Sequence, residues 1–304
     1  MEEKKKSTAG RPPKRLTRKF ENRKGIIDSA SEPDVIFELI HDNLDSFKSL
    51  FESAKRINDI VKISISQTGI KIFCGPKGDG CYAIIDIYGH RVGSFYSSKN
   101  INYSCSAEKI IKILRARKKN NQNLIFQIKK NSLYTLYIIF ILQNNIRETW
   151  EVPLDPCEDI DFNILENHYN LIDRYPLSFN IDRTFLKDTV NTWKQFTNKD
   201  IIFEKDPETD LMVSFQEGQE KCKISFPTDS IKIDYKGSDL FALSVPIISL
   251  LNISVSCDIG NNLTFYLHED LSIIVISKLD ESYESKNEVI PDSETMLLKY
   301  FVPL

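Results

Sequence analysis

Six cysteines and four histidines are the residues in this 304-residue chain that could hold a metal ion or supply a nucleophile and its base. The cysteines stand at 74, 81, 105, 157, 222 and 257 and the histidines at 41, 90, 168 and 268, with no Cys-x-x-Cys pair among them. A structural zinc site needs ligands at short, fixed spacings. The scatter therefore predicts no metal centre, and reduced, mostly buried thiols in a cytosolic or nuclear protein. Catalytic signatures are missing as well: there is no phosphate loop, no G-x-G-x-x-G, no nucleophile elbow and no H-E-x-x-H. The one glycine cluster, Gly75-Pro76-Lys77-Gly78-Asp79-Gly80, lies between two strand-like runs with no helix after it, and reads as a hairpin loop. The sequence gives no reason to expect an enzyme, a cofactor or a metal.

The chemistry that the sequence does offer is electrostatic. The whole chain carries 40 Lys+Arg against 43 Asp+Glu, a formal net charge of −3. Residues 1–25 hold ten basic and three acidic residues, +7, which leaves −10 for the rest. That segment, with Arg11, Lys14 and Arg15 near its centre and almost no apolar content, predicts a disordered tail suited to a polyanion, or a solubilising or import tail. Gly10-Arg11-Pro12 matches the core of a minor-groove hook, although Ala9 stands where such hooks carry a further arginine.

The body must position whatever binds. The 41% apolar content of the whole chain suffices for a core. Its longest apolar runs fall short of the roughly 20 residues of a membrane span, and no secretory leader precedes it, so an intracellular protein without membrane contact is expected. Short strands and a few helices alternate, twice in the same order. In the first half, extended segments at Val35–Ile40, Val61–Ser66, Ile70–Cys74, Cys81–Tyr88, Asn102–Ser106, Leu124–Lys129, Leu133–Leu142 and Ile146–Leu154 surround helices at Asn43–Asn58 and Ala107–Lys119. The second half follows with Leu177–Ile181, a helix at Asp182–Phe196, then Ile201–Glu204, Met212–Gln216 and Cys222–Phe226. Phe241–Val245 opens a short apolar helix ending near Ile253, and Val255–Asp258, Leu263–His268, Leu271–Leu279 and Leu297–Val302 close the half as strands. Asn123-Leu124-Ile125-Phe126-Gln127-Ile128 recurs 139 residues later as Asn262-Leu263-Thr264-Phe265-Tyr266-Leu267, which marks two copies of one domain. The expected division is a tail at 1–33, a first domain at 34–154, an acidic connector at 155–175 and a second domain at 176–304.

Helix faces then segregate charge. Arg183, Lys187, Asn191 and Lys194 share one face of the third helix, opposite Leu186, Val190 and Trp193. Lys109, Lys112, Arg115 and Lys119 line one side of the second, and the first adds Lys48, Lys55 and Arg56. These three helices hold twelve basic and five acidic residues, whereas the remainder from residue 26 onward holds 18 and 35. Solvated helix faces are often lysine-rich, but three basic faces against acidic strands and loops predict one positive surface toward a phosphate backbone. Such a surface binds duplex without reading bases.

At this point the chain resembles the PCNA-like sliding clamps. Two copies of a strand-helix-strands-helix-strands unit are joined by a connector, Asp155 to Asp173, with six acidic residues and no Lys or Arg, and the ending Leu298-Lys299-Tyr300-Phe301-Val302-Pro303 looks like the family's final strand. Gly10-Arg11-Pro12-Pro13-Lys14-Arg15, then Phe20 and Arg23-Lys24-Gly25-Ile26, resembles the opening of the clamps of nucleocytoplasmic large DNA viruses such as African swine fever virus. The resemblance implies an α+β clamp fold in which two similar domains each pack two helices on antiparallel sheet. It also implies a homotrimeric ring around double-stranded DNA, with helices lining the hole, that tethers a DNA polymerase and other clients at a viral replication site in the host cytoplasm or nucleus.

The resemblance further implies that Ile146–Leu154 pairs with Cys222–Phe226 of a neighbouring subunit, with Trp150 and Val152 against Cys222 and Ile224. A client-peptide pocket would form from Ile160, Phe162 and Ile164 of the connector with Leu271, Phe301 and Val302, unless the connector docks on its own sheet. Two departures stand out: Gly75 where a larger apolar residue is expected beside that pocket, and a fourth helix, Val245 to Asn252, without a basic residue. The alternatives are a clamp-shaped viral late transcription factor and a monomeric, non-specific DNA-binding accessory protein.

Overall fold

The computed structural model describes residues 25–75, 81–117, 123–158, 162, 167, 169–227, 231–256, 260–280 and 294–302. The first half runs β1 (Val35–His41), α1 (Leu44–Ile57), β2 (Ile60–Ile65), β3 (Gly69–Cys74), β4 (Tyr82–Tyr88), β5 (Ser94–Ser97), β6 (Ile101–Ser106), α2 (Ala107–Arg115), β7 (Asn123–Lys129), β8 (Ser132–Ile141) and β9 (Arg147–Pro153). After β10 (Asp155–Pro156) in the connector come β11 (Leu177–Asp182), α3 (Arg183–Trp193), β12 (Asp200–Lys205), β13 (Leu211–Glu217), β14 (Glu220–Phe226) and β15 (Ile233–Tyr235). The chain ends with β16 (Phe241–Pro246), α4 (Ile247–Ser256), β17 (Asn262–Leu267), β18 (Ile273–Asp280) and β19 (Glu294–Val302).

Among the described residues the strands form three sheets, in the orders β5-β1-β7-β8-β9, β14-β13-β12-β16 and β10-β6-β2-β3-β4-β19-β18-β17-β11-β15. Their registers are antiparallel throughout. The ten-stranded sheet spans both halves because the final strand, β19, pairs with β4 of the first half, Leu298 opposite Ile85 and Tyr300 opposite Ala83. Helices cover one face of this sheet. Leu44, Phe47, Leu50, Phe51, Ala54 and Ile57 of α1 are buried in the core that joins this face to the two smaller sheets, as are Ile110, Ile111 and Leu114 of α2 and Leu186, Val190 and Trp193 of α3; Phe47 meets Phe126 of β7 and Trp193 meets Phe215 of β13.

Caps set the helix starts. Asn43 Oδ1 accepts from Ser46 N at 3.2 Å, Ser106 Oγ from Lys109 N at 3.3 Å, and Asp182 Oδ1 from Phe185 N at 2.8 Å. The far ends differ from the sequence reading. Helix α2 stops at Arg115 rather than Lys119, because the apolar stripe ends at Leu114 and nothing beyond it can be buried on the sheet; Arg117 turns instead to Glu148 of β9. Lys119 lies outside the described residues. Helix α4 continues through Val255 and Ser256, which the sequence assigned to a strand, since Ile247, Leu250 and Ile253 recur at helical spacing and stay buried. Strands β5, β10 and β15 have no counterpart in the sequence pattern; at four, two and three residues they carry too little alternation to read.

Residues 25–33, grouped with the tail in the sequence reading, belong to the folded body. Ile27 N donates to Phe95 O (2.8 Å) and Phe95 N to Gly25 O (2.9 Å), so this segment covers the edge of β5. Further on, Ser31 N donates to the fully buried Glu38 carboxylate (3.0 Å), which Gln127 Nε2 also reaches at 2.6 Å. Glu32 pairs with Lys129 and Arg147, each at 2.7 Å, and those two cations hold its carboxyl below the usual carboxylate range.

Among the described residues Cys74, Cys81 and Cys105 are buried and Cys157 and Cys222 are half-buried. Burial pushes the thiols of Cys74 and Cys105 up to about 12, leaving almost no thiolate at neutral pH. Iodoacetamide at pH 8 should label Cys157 in the native protein and spare Cys74 and Cys105, as peptide mapping by mass spectrometry would show. Equal labelling of all three would mean that the core opens.

Candidate nucleic-acid interface

The four helices lie side by side in the order α2, α1, α4, α3, with α1 touching α4 across the two halves. The layer presents Lys55, Arg56, Lys109, Lys112, Arg115, Lys187 and Lys194 to solvent, and Lys48 and Arg183 half-buried. Together these are the described members of the basic set read from the sequence; Arg11, Lys14 and Arg15 lie outside the described residues.

Their charges are not equally available. Glu108, in the first turn of α2, lies 2.9 Å from Lys112 Nζ and 3.4 Å from Lys55 Nζ, so one carboxylate engages a lysine on its own helix and another on α1. Lys112 and Lys55 hold the Glu108 carboxyl below its usual range. Arg115 Nε donates to Glu52 Oε1 of α1 at 2.9 Å. Lys48, Lys109, Lys187 and Lys194 make no ion pair among the described residues. Helix α4 has no charged side chain at all, and its Ile248 is exposed. The N-terminus of α2 is closed to an anion by the chain itself: beside the Ser106 cap, Asp59 accepts from Glu108 N at 2.9 Å. The sequence shows the Glu108–Lys112 spacing of four but not the Glu52–Arg115 pair, whose members are 63 positions apart.

Two edge strands flank this layer. Strand β9 pairs only with β8, and β14 only with β13, so each has one free edge among the described residues. On β9, Trp150 is 40% exposed, with its Nε1 donating to Glu148 Oε1 at 2.7 Å; Val152 is buried in its own domain and offers no surface to a neighbour. On β14, Cys222 and Ile224 are half-buried. Phe185 of α3, which the sequence reading passed over, is 43% exposed and packs edge-on against Phe226 at the end of β14, ring centroids 5.8 Å apart. Its only sequence signal is an aromatic residue adjacent to, rather than within, the Leu186-Val190-Trp193 stripe.

On the opposite face of the ten-stranded sheet the connector is docked. Phe162, Tyr169, Ile172 and Tyr175 cover Ile84, Ile274, Ile276, Leu297 and Phe301. Tyr175 Oη donates to Ser272 O at 2.7 Å. Beneath the connector Lys299 Nζ lies 2.9 Å from Asp86, both nearly buried, and 4.1 Å from the Tyr169 ring centroid, while Lys71 Nζ sits 5.4 Å from that of Phe162. Phe301 is fully buried under a stacked Tyr82 (4.8 Å, 14°), Leu271 is half-buried at the rim, and Val302 points into the helix-side core. Of the expected pocket, then, Phe162, Leu271 and Phe301 come together and Val302 does not, because successive residues of a strand face opposite sides. Ile160 and Ile164 lie outside the described residues.

Solved structures with this arrangement exist. The proliferating cellular nuclear antigen of Entamoeba histolytica matches it with a TM-score of 0.67 at 13% identity, over 88% of this chain and 98% of that one. The chain has the PCNA-like clamp fold. A chain of the PCNA2–PCNA3 complex of Sulfolobus tokodaii matches equally well, TM-score 0.67 at 12% identity over 88% and 98% of the two chains. In sequence, the chain is 23% identical over 282 residues to uncharacterized proteins of African swine fever virus, from a tick isolate of Malawi and a pig isolate of Kenya; each match spans 89% of this chain and 93% of the viral protein. No family model matches the sequence. Among its described residues no helix is long and apolar enough to cross a membrane, and no group of three or more His, Cys, Asp or Glu could hold a metal ion.

Proposed function

We propose that the chain is a DNA sliding clamp: three copies close into a ring through the free edges of β9 and β14, the helical layer faces double-stranded DNA, and the ring tethers a DNA polymerase without catalysing a reaction itself. The observation that carries this reading is the clamp fold with its basic residues gathered on the helical layer, while the sheets and connector carry the acidic excess. Spaced positive charge without base-reading geometry holds a duplex at any sequence and lets it slide. The tail, with Arg11, Lys14 and Arg15, adds phosphate contacts outside the ring. Its attachment beside β5 leaves the β9 edge free. Clients join the docked connector at its Leu271 rim. The likeness to viral proteins supports a role in an infected host cell, in viral DNA replication and repair.

The test is topological. A ring of about three times 35.1 kDa should remain on closed circular duplex through a high-salt wash and leave once the circle is cut. A mass of one chain at every concentration, or equal retention on circular and linear DNA, would overturn the ring and leave a monomeric DNA-binding accessory protein.

A further inference from the structure

The helical layer carries acids among its basic residues, and their placement is specific. Of the acids in these helices, Glu108 pairs with Lys112 and Lys55, and Glu52 with Arg115, both where α1 and α2 face each other. On the other side of α1 the layer is uncharged along α4. Asp59 closes the N-terminus of α2. Exposed ion pairs are individually weak, and a phosphate can displace either carboxylate from its lysine. The carboxylate nevertheless stays within a Debye length of about 8–10 Å and repels the incoming phosphate. Glu108 remains ionised throughout the neutral range, since its two lysines favour the charged form.

Resting on the clamp reading above, we infer that Glu108 and Glu52 are built-in competitors for DNA phosphate: they mute Lys55, Lys112 and Arg115, and the duplex is gripped chiefly through Lys48, Lys109, Lys187 and Lys194. The strength of the grip, and with it the mobility of the duplex, is thus set by counter-charges within the binding surface itself. A surface with every cation available would release more counterions on binding and hold the duplex more tightly.

The test measures the affinity of the full chain for a labelled duplex of random sequence by fluorescence anisotropy across a salt series. Glu108→Gln should tighten binding several-fold at low salt and steepen the log-log salt slope by about 1 to 2, as Lys55 and Lys112 each gain a phosphate. Glu52→Gln should steepen it by about 1. Glu32→Gln removes an equal charge from the outer face of the first domain, beside Lys129 and Arg147, and should change neither quantity. Thermal midpoints would verify that each variant is folded, and Glu52→Gln tests the idea independently of Glu108. If Glu108→Gln and Glu52→Gln both bind like the native protein while reversal of Lys48, Lys109 and Lys187 weakens binding, the DNA face stands and the competitor role is overturned. A gain from Glu32→Gln equal to that from Glu108→Gln overturns it too, by reducing the effect to net charge. If the lysine reversal also changes nothing, the helical face does not bind DNA and both readings fall.

Discussion

Trp150→Arg should convert a three-chain species into single chains at micromolar concentration. Trp150 is the large apolar side chain left open on the free strand β9, at 40% exposure, and its one polar contact is to Glu148 of the same strand. In the proposed ring it would meet β14, whose outer residues include Lys221 and Lys223, with Phe185 beside it. A buried aromatic anchor of this kind is worth about 2–4 kcal/mol on truncation, roughly 30- to 1,000-fold at each interface. Arginine adds repulsion from the two lysines, while Glu148 gives it a partner within its own subunit, so the monomer should keep its fold. Sedimentation over a concentration series reads the outcome. A variant that still assembles as the native protein does would move the interface away from β9.

Simultaneous reversal of Lys48, Lys109 and Lys187 to Glu should lower affinity for duplex on the order of a hundredfold at low salt and cut the magnitude of the log-log slope by roughly 0.9 for each phosphate no longer neutralised. These lysines sit on α1, α2 and α3 and make no ion pair among the described residues, so reversing them strands no buried partner. Reversing Lys55, Lys112 and Arg115 instead should cost less, because their charges already share the surface with Glu108 and Glu52. Equal effects from the two triple variants would show that the helical layer acts through its summed field rather than through particular residues.

A charged residue at Phe301 would be a poor probe of client binding. That ring is fully buried beneath Tyr82, so an introduced carboxylate would damage the sheet before it reported on any peptide. Leu271, half-buried at the rim, is the position at which a substitution separates the two effects.

The amino-acid sequence by itself determined the longer elements and their order. The stripe Leu44, Phe47, Leu50, Phe51, Ala54, Ile57 between Asn43 and Asn58 marks α1 to within one residue at each end, because capping and a 3.6-residue period are local properties. The 139-residue repeat, the alternating strands and the basic helix faces were legible for the same reason. Tertiary structure decided everything that depends on residues far apart in the chain. The pairing of β19 with β4 joins the halves, and Glu52 reaches Arg115 across 63 positions. The connector, whose apolar residues left open whether it docks on its own sheet or awaits a client, lies with Phe162 and Tyr169 over Lys71 and Lys299, which Asp86 of a third strand ties together. Where α2 and α4 end was likewise settled by what each could bury. Phe301 and Val302, adjacent in sequence, were sent to opposite faces of one sheet. Local periodicity is written in each segment, whereas the pairing of charges and the burial of faces are fixed only when distant segments meet.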